Sequence, residues 1–180
     1  MTKTLIKIFQ YVICNNINRL EGNLMEKTRQ LLAYLIEHHP ETSITGLMKL
    51  AYISDLVSIK KTNKQISDFE YTRYKYGPFD KRIYDCVNDL IYSGLVIEGR
   101  AYTTKGDEYI VYKCIDEVDF EYDKLEDTEK NVINEVIQSL CGYGARALVD
   151  LAYLTEPMKK IGATQENDVG LNETLDLWAS

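Results

Sequence analysis

Apolar residues along this chain recur mostly at helical spacing. Leu31, Leu32, Leu35 and Ile36 share one face of "MEKTRQLLAYLIEHH", which predicts a helix from about Glu26 to His38, stopped by Pro40. The next segment, "SITGLMKLAYISDLVSI", has Thr42 or Ser43 in place to cap it and is apolar nearly all round, through Ile44, Leu47, Met48, Leu50, Ala51, Ile53, Leu56 and Val57. A helix of that composition belongs in the middle of a domain. Its few polar residues are therefore informative. Lys49, Tyr52 and Asp55 recur at i, i+3 and i+6, so each neighbours the next. A buried charge needs a partner, so this ladder either pins a neighbouring strand or loop or faces a ligand or binding partner.

The pattern then changes. "KKTNKQ" reads as a solvated turn, and "FEYTRYKY" alternates in the manner of a strand until Gly77-Pro78 breaks it. Asp80 can cap the following helix, "KRIYDCVNDLIYS", whose buried stripe is Ile83, Val87, Leu90 and Ile91 and whose wet face is Arg82, Asp85, Asn88 and Asp89. Gly94 supplies a left-handed stop. Two short extended runs flank Glu98-Gly99-Arg100, which suits a tight hairpin there, and Thr104 stands where it could cap the next element.

An acidic connector, "IDEVDFEYDKLED", leads to an amphipathic helix carried by Val132, Ile133, Val136, Ile137 and Leu140, with Thr128 as its cap and "CGYG" as its end. "ARALVDLAYLTEP" continues as one more helix to about Pro157. Its "LVDLAYLTE" echoes the earlier "LMKLAYISD", so the two helices are expected to pack as a pair. In the tail, Leu171, Leu175 and Trp178 fall at i, i+4 and i+7, which predicts a short acidic helix docking on its own domain or on a partner.

These elements describe a mainly α protein of α+β type: a helical domain with a small antiparallel β element. The order helix, Gly-Leu, hairpin, Thr-x-Gly is also the habit of winged-helix domains. The division expected is residues 1–24 as an N-terminal arm, 25–162 as the domain, and 163–180 as a polar, acidic tail. Two readings of the arm stand open. It is a genuine helix from Leu5 to Ile17, or translation starts at Met25, downstream of Glu21-Gly22 codons that can spell a ribosome-binding GAGG.

Composition narrows the function classes. The 180 residues suffice for one compact domain. A net charge of −7 argues against a protein dominated by nonspecific phosphate attraction, though not against a local basic patch. The scattered Cys14, Cys86, Cys114 and Cys141 and the adjacent His38 and His39 show no metal-ligand spacing, so neither a metal site nor a disulfide framework is expected, and the thiols are expected free and mostly buried. No signal peptide or membrane span is read, and a cytoplasmic location follows as the expectation. No phosphate loop, nucleophile elbow or metalloprotease motif occurs, so no catalytic or cofactor-binding residue is assigned and no enzyme is expected. The 14 tyrosines against 4 phenylalanines suit a surface half apolar and half wet.

Two stretches carry a family resemblance. "GLMKLAYISDLVSIKKTNKQI", with Lys49, Leu50, Ala51 and Tyr52, and "FEYTRYKYGPFDKRIYDCVNDLIYSGLV", with the step Tyr76-Gly77-Pro78 into a helix, resemble the Panacea domain, the antitoxin SocA-like family also called DUF4065. Tyr102, Thr104 and Gly106 correspond more loosely to a further family step. The resemblance spans about Glu26 to Ile161. Phe79 stands where the family often has an aliphatic residue, and "LAYLTEPM" lacks the family's usual histidine and tryptophan. The resemblance implies a mostly helical cytoplasmic protein of bacteria, archaea or their phages that neutralises a cognate toxin, encoded nearby, by direct binding, with no cofactor. Lys49, Tyr52, Asp55, Tyr76, Gly77, Pro78, Tyr84 and Tyr92 are the residues it and the residue pattern mark for family structure or partner contact.

A second function class is a winged-helix DNA-binding transcriptional regulator, with its own promoter as one candidate target. Lys60, Lys61, Lys64, Arg73, Lys75, Lys81, Arg82 and Arg100 could gather on one face, with the helix from Lys81 to Ser93 in the major groove. Asp85 and Asp89 on that helix oppose a phosphate backbone, so protein binding leads and DNA is secondary. The oligomeric state is not readable from the sequence.

Overall fold

The computed structural model describes residues 26–39, 42–115 and 121–179. The arm and its alternative start, like Pro40, lie outside the described residues. Helix α1 covers residues 26–38, followed by α2 (Ile44–Thr62), β1 (Thr72–Tyr74), β2 (Gly77–Phe79), α3 (Arg82–Tyr92), β3 (Val96–Tyr102), β4 (Glu108–Cys114), α4 (Asp127–Ser139), α5 (Ala145–Tyr153) and the short α6 (Glu156–Lys160). The protein is mostly helical with two small antiparallel hairpins, as expected. The order α3–β3–β4 is compatible with a winged helix, but the arrangement is not specific to that fold.

Helix α2 forms the axis of the core because it has almost no wet face. Leu47, Leu50, Ala51, Tyr52, Ser54 and Asp55 are all wholly buried. It packs on α4 and α5 and touches β2 and β4. Ser43 caps it, its side chain accepting from Gly46 N at 3.3 Å. Thr42 instead bridges to the second hairpin, its carbonyl accepting from Tyr112 N at 2.9 Å. The helices that carry the echo, α2 and α5, do pack on each other. α2 runs about one turn further than its apolar pattern suggests: Lys60, Lys61 and Thr62 are helical, and Asn63 ends it in the left-handed conformation at φ 56°.

The structure corrects several local expectations. Gly77-Pro78 does not break a strand; it forms one. β1 and β2 pair Thr72 with Phe79, Arg73 with Pro78 and Tyr74 with Gly77, around a turn at Lys75-Tyr76. Pro78 is tolerated because β2 is an edge strand. Glu98-Gly99-Arg100 is not a turn but the middle of β3, paired through to β4. The turn is Thr103 to Asp107, where Thr103 Oγ1 accepts from Asp107 N at 3.1 Å and Gly106 takes φ +89°. Thr104 therefore caps nothing. Helix α4 begins after Glu126, not at Thr128: Glu129 reaches back to Glu126 N at 3.0 Å in a capping box. The last long helix breaks at Leu154-Thr155, giving α5 and α6.

The tail is not helical. Leu175 and Leu177 are buried while Leu171 and Trp178 stay exposed. Backbone pairing replaces the predicted helix: Asn172 N donates to Arg73 O at 2.7 Å, Arg73 N to Glu173 O at 2.8 Å, and Leu175 N to Tyr71 O at 2.8 Å. The tail thus docks on its own domain as a strap along β1. The cysteines are less uniformly buried than expected, since Cys141 is exposed. No helix among the described residues is long and apolar enough to cross a membrane.

Candidate binding cleft

The ladder on α2 pins the segments around it. Lys49 is buried, and its Nζ donates to Pro78 O at 2.6 Å. Burial without an acid beside it lowers its pKa from 10.5 to about 7. Tyr52 OH bonds Thr155 Oγ1 at 2.7 Å, which ties α2 to the break between α5 and α6. Asp55 accepts from Ile66 N, Ser67 N, Ser67 Oγ and Tyr71 OH, at 2.5 to 3.0 Å. Burial pushes the Asp55 carboxyl upward and these bonds oppose it. The three polar residues therefore hold the approach to the first hairpin, the hairpin itself and the α5–α6 corner against one helix.

The hairpin is placed with little freedom. Gly77 takes φ +87°, and a Cβ there would lie 3.4 Å from Tyr153 Cε2 and 3.6 Å from Lys49 Cε. Tyr153 OH also donates to Lys75 O at 3.3 Å. The Tyr76-Gly77-Pro78 step is thus held between Lys49 and Tyr153, leaving Tyr76 half exposed at the turn. Phe79 packs its ring 5.0 Å from Tyr74 and 6.2 Å from Tyr84, which links the hairpin to α3.

What this scaffold borders is a cleft of about 1280 Å³. One wall is the end of α1 with the start of α2, from His38 and His39 to Gly46. Beside it, joined through the Thr42–Tyr112 bridge, β4 lines the cleft with Tyr109, Ile110 and Tyr112, and Tyr84 of α3 and Tyr76 of the first hairpin line it too. The α4–α5 loop, including Cys141, Gly142, Tyr143 and Gly144, closes one end with the first turns of α5. Five tyrosines line it, and Tyr76, Tyr84, Tyr143 and Ile110 are each exposed by 44 to 59%. Burial, then the neighbouring Glu98, pushes the Tyr112 phenol upward, so it stays a protonated donor at neutral pH.

Of the residues singled out in the sequence, Tyr76 and Tyr84 meet at this cleft. Lys49, Tyr52, Asp55, Gly77 and Pro78 stand behind it as supports, and Tyr92, 94% exposed, does not line it. Tyr109, Tyr112, Tyr143 and Arg146 were not singled out. The Gly-Tyr-Gly ahead of α5 was the available signal for the last two, since a glycine-flanked tyrosine before a helix is presented rather than packed.

Of the eight basic residues named for DNA contact, Lys60, Lys64, Lys75 and Lys81 are exposed, while the other four are engaged within the protein. Arg73 is buried, its Nη2 donating to the carbonyls of Thr164 and Asn167 in the strap. Arg82 forks onto Asp80, Lys61 pairs with Glu135, and Arg100 pairs with Glu108 at 3.2 Å. Asp85, Asn88 and Asp89 are exposed along α3 as the pattern indicated. Arg82 is the exception on that face: it is half-buried and engaged.

A family model described as antitoxin SocA-like, Panacea domain, matches residues 47–157, from the first turn of α2 into α6. The match includes the ladder, both hairpins and the α4–α5 loop. Searches of curated proteins and of solved structures find no match.

Proposed function

Because this chain belongs to the antitoxin SocA-like Panacea family, we propose that it neutralises a cognate toxin by direct contact, and that the toxin docks in the tyrosine-lined cleft. The observation that carries this reading is the convergence of five tyrosines on one apolar cleft from four separate parts of the chain: the first hairpin, α3, β4 and the α4–α5 loop. Tyrosine offers a large, stiff contact area with a hydrogen-bonding tip, the combination found at the centres of protein interfaces. The action proposed is binding, with no bond made or broken.

Co-expression with the product of the adjacent gene is the test. A stable complex is expected. Tyr76→Ala and Tyr143→Ala are each expected to weaken it about tenfold or more, while Tyr92→Ala, outside the cleft, leaves it unchanged. Both cleft tyrosines are half exposed, so neither change should unfold the protein. Absence of a complex, or a complex indifferent to the cleft variants, refutes the proposal.

A further inference from the structure

Glu98-Gly99-Arg100 takes no part in lining the cleft, yet it stands at the middle of β3. The hydrogen-bond phase of that strand is fixed at both ends of its ladder. Ile115 N donates to Leu95 O at 3.1 Å and Thr103 N to Asp107 O at 2.9 Å, with seven consecutive β3–β4 pairs between them and no bulge. Bonded and non-bonded pairs alternate in an antiparallel ladder. Leu95, Ile97, Gly99, Ala101 and Thr103 therefore bond toward β4, and Val96, Glu98, Arg100 and Tyr102 turn their N–H and C=O groups outward. Tyr112, opposite Glu98, shows the same phase, since its N–H points away from β3 to Thr42 O.

The outer side of β3 is accessible. Glu98, Arg100 and Tyr102 are exposed on one face of the ribbon and Ile97 on the other, so the hairpin projects with both faces wet. A two-stranded ribbon is marginal by itself, and an edge without proline, lysine or bulge is a template for a further strand. We infer that β3 pairs with β3 of a second copy of this chain, antiparallel, about a two-fold axis at Gly99.

The strand is complementary to itself in that register. Gly99 is the midpoint of Val96–Tyr102, so the whole of β3 is paired. Glu98 then faces Arg100 of the copy, and Arg100 faces its Glu98. Both are outward-bonding positions, so each of these pairs exchanges two backbone bonds as well as placing opposite charges together. On the other face exposed Ile97 meets Ala101 of the copy. Arg100 already pairs with Glu108 at 3.2 Å, but its side chain stays 74% exposed, open to a second carboxylate. Moving the axis to Glu98 or to Arg100 would set like charges face to face and shorten the pairing. An isologous contact of this kind closes as a dimer. Its sheet runs β4–β3–β3–β4, with the cleft-lining β4 at each outer side, so one dimer carries two clefts.

The test is sedimentation equilibrium of the full-length protein from low micromolar to several hundred micromolar, with amide exchange followed by NMR at both ends of the range. A reversible monomer–dimer equilibrium is expected, with the outward amides of Glu98 and Arg100 exchanging freely when dilute and protected when concentrated. Glu98→Arg and Arg100→Glu each reverse two symmetry-related pairs at once and should each weaken the dimer about tenfold or more. The double variant carrying both changes restores opposite charges and should recover most of the wild-type affinity. Arg100→Pro removes an outward N–H without touching the bonds to β4 and should leave a folded monomer. A dimer indifferent to these variants, or one that the double variant fails to restore, overturns the inference. So does a monomer at every concentration. If the outward amides are then protected even when dilute, the edge belongs to another segment of this chain. If they become protected only on adding the co-expressed toxin, it belongs to that partner.

Discussion

Lys49 gives a pH signature that few other residues here share. Its pKa is about 7 in the folded protein and 10.5 unperturbed, so between those values the unfolded chain holds a proton that the folded protein lacks. Stability must then rise with pH across that interval, by up to about 1.4 kcal/mol per pH unit. The clean window ends at about pH 8.5, the ordinary value of a free thiol and well below that of a phenol. Above it Cys86, pushed up by burial from 9.0 to about 11, adds a contribution of opposite sign. Urea denaturation of the wild type between pH 7 and 8.5 should show the rise, and Lys49→Met should flatten it. A slope unchanged in Lys49→Met would mean the amine is not what titrates. At Gly77 the strain lies in the backbone: φ +87° costs an alanine about 1–2 kcal/mol, while the space around its Cβ is ordinary contact. Gly77→Ala should lower stability by that amount and, by shifting the turn, weaken binding at Tyr76. Equal stability of Gly77→Ala and wild type would contradict this.

The tail shows most clearly what an element's sequence conceals. Leu171, Leu175 and Trp178 fall at helical spacing, yet Leu175 and Leu177 are the buried pair, an alternation that belongs to extended chain. Three apolar residues are too few to choose between the two periods. What decides is the free edge of β1, which needs partners for its N–H and C=O groups and cannot be seen in the tail's own residues. Arg73 adds to this, because its buried guanidinium draws on the carbonyls of Thr164 and Asn167. Deleting residues 163–180 should therefore cost about 3–5 kcal/mol, the scale for stripping partners from a buried charge, and thermal unfolding would read it. A truncated protein as stable as the full chain would show the strap to be incidental. The helices α1 to α5 were legible, α2 from its all-round apolar run and the others from apolar periodicity, whereas the helix expected in the tail is absent and the break that makes α6 a separate helix was not visible. Turns were less so. Glu98-Gly99-Arg100 has a turn composition but pairs along β3, because the Thr103 hydroxyl and Gly106 build a better-bonded loop next to it. The cleft was legible only in halves. Tyr76 and Tyr84 stood out from their motifs, while Tyr109, Tyr112 and Tyr143 reach the same space from elements distant in sequence.

At the scale of the whole molecule, charge separates the two function classes. A protein of net charge −7 whose Arg73, Arg82, Lys61 and Arg100 are tied to partners within the protein keeps half of the eight named basic residues, Lys60, Lys64, Lys75 and Lys81, exposed for phosphates against a net negative field. Binding to its own promoter should be weak at physiological salt. Tight binding that falls steeply as salt rises would instead support a DNA-binding regulator. The central claim concerns where the toxin sits. Hydrogen–deuterium exchange of the protein alone and in complex with the co-expressed toxin reads that location most directly. The account predicts new protection at residues 42–46, 109–112 and 141–149, the walls of the cleft. Protection confined to the outer face of α3 around Tyr92, with those three segments exchanging as in the free protein, would contradict it.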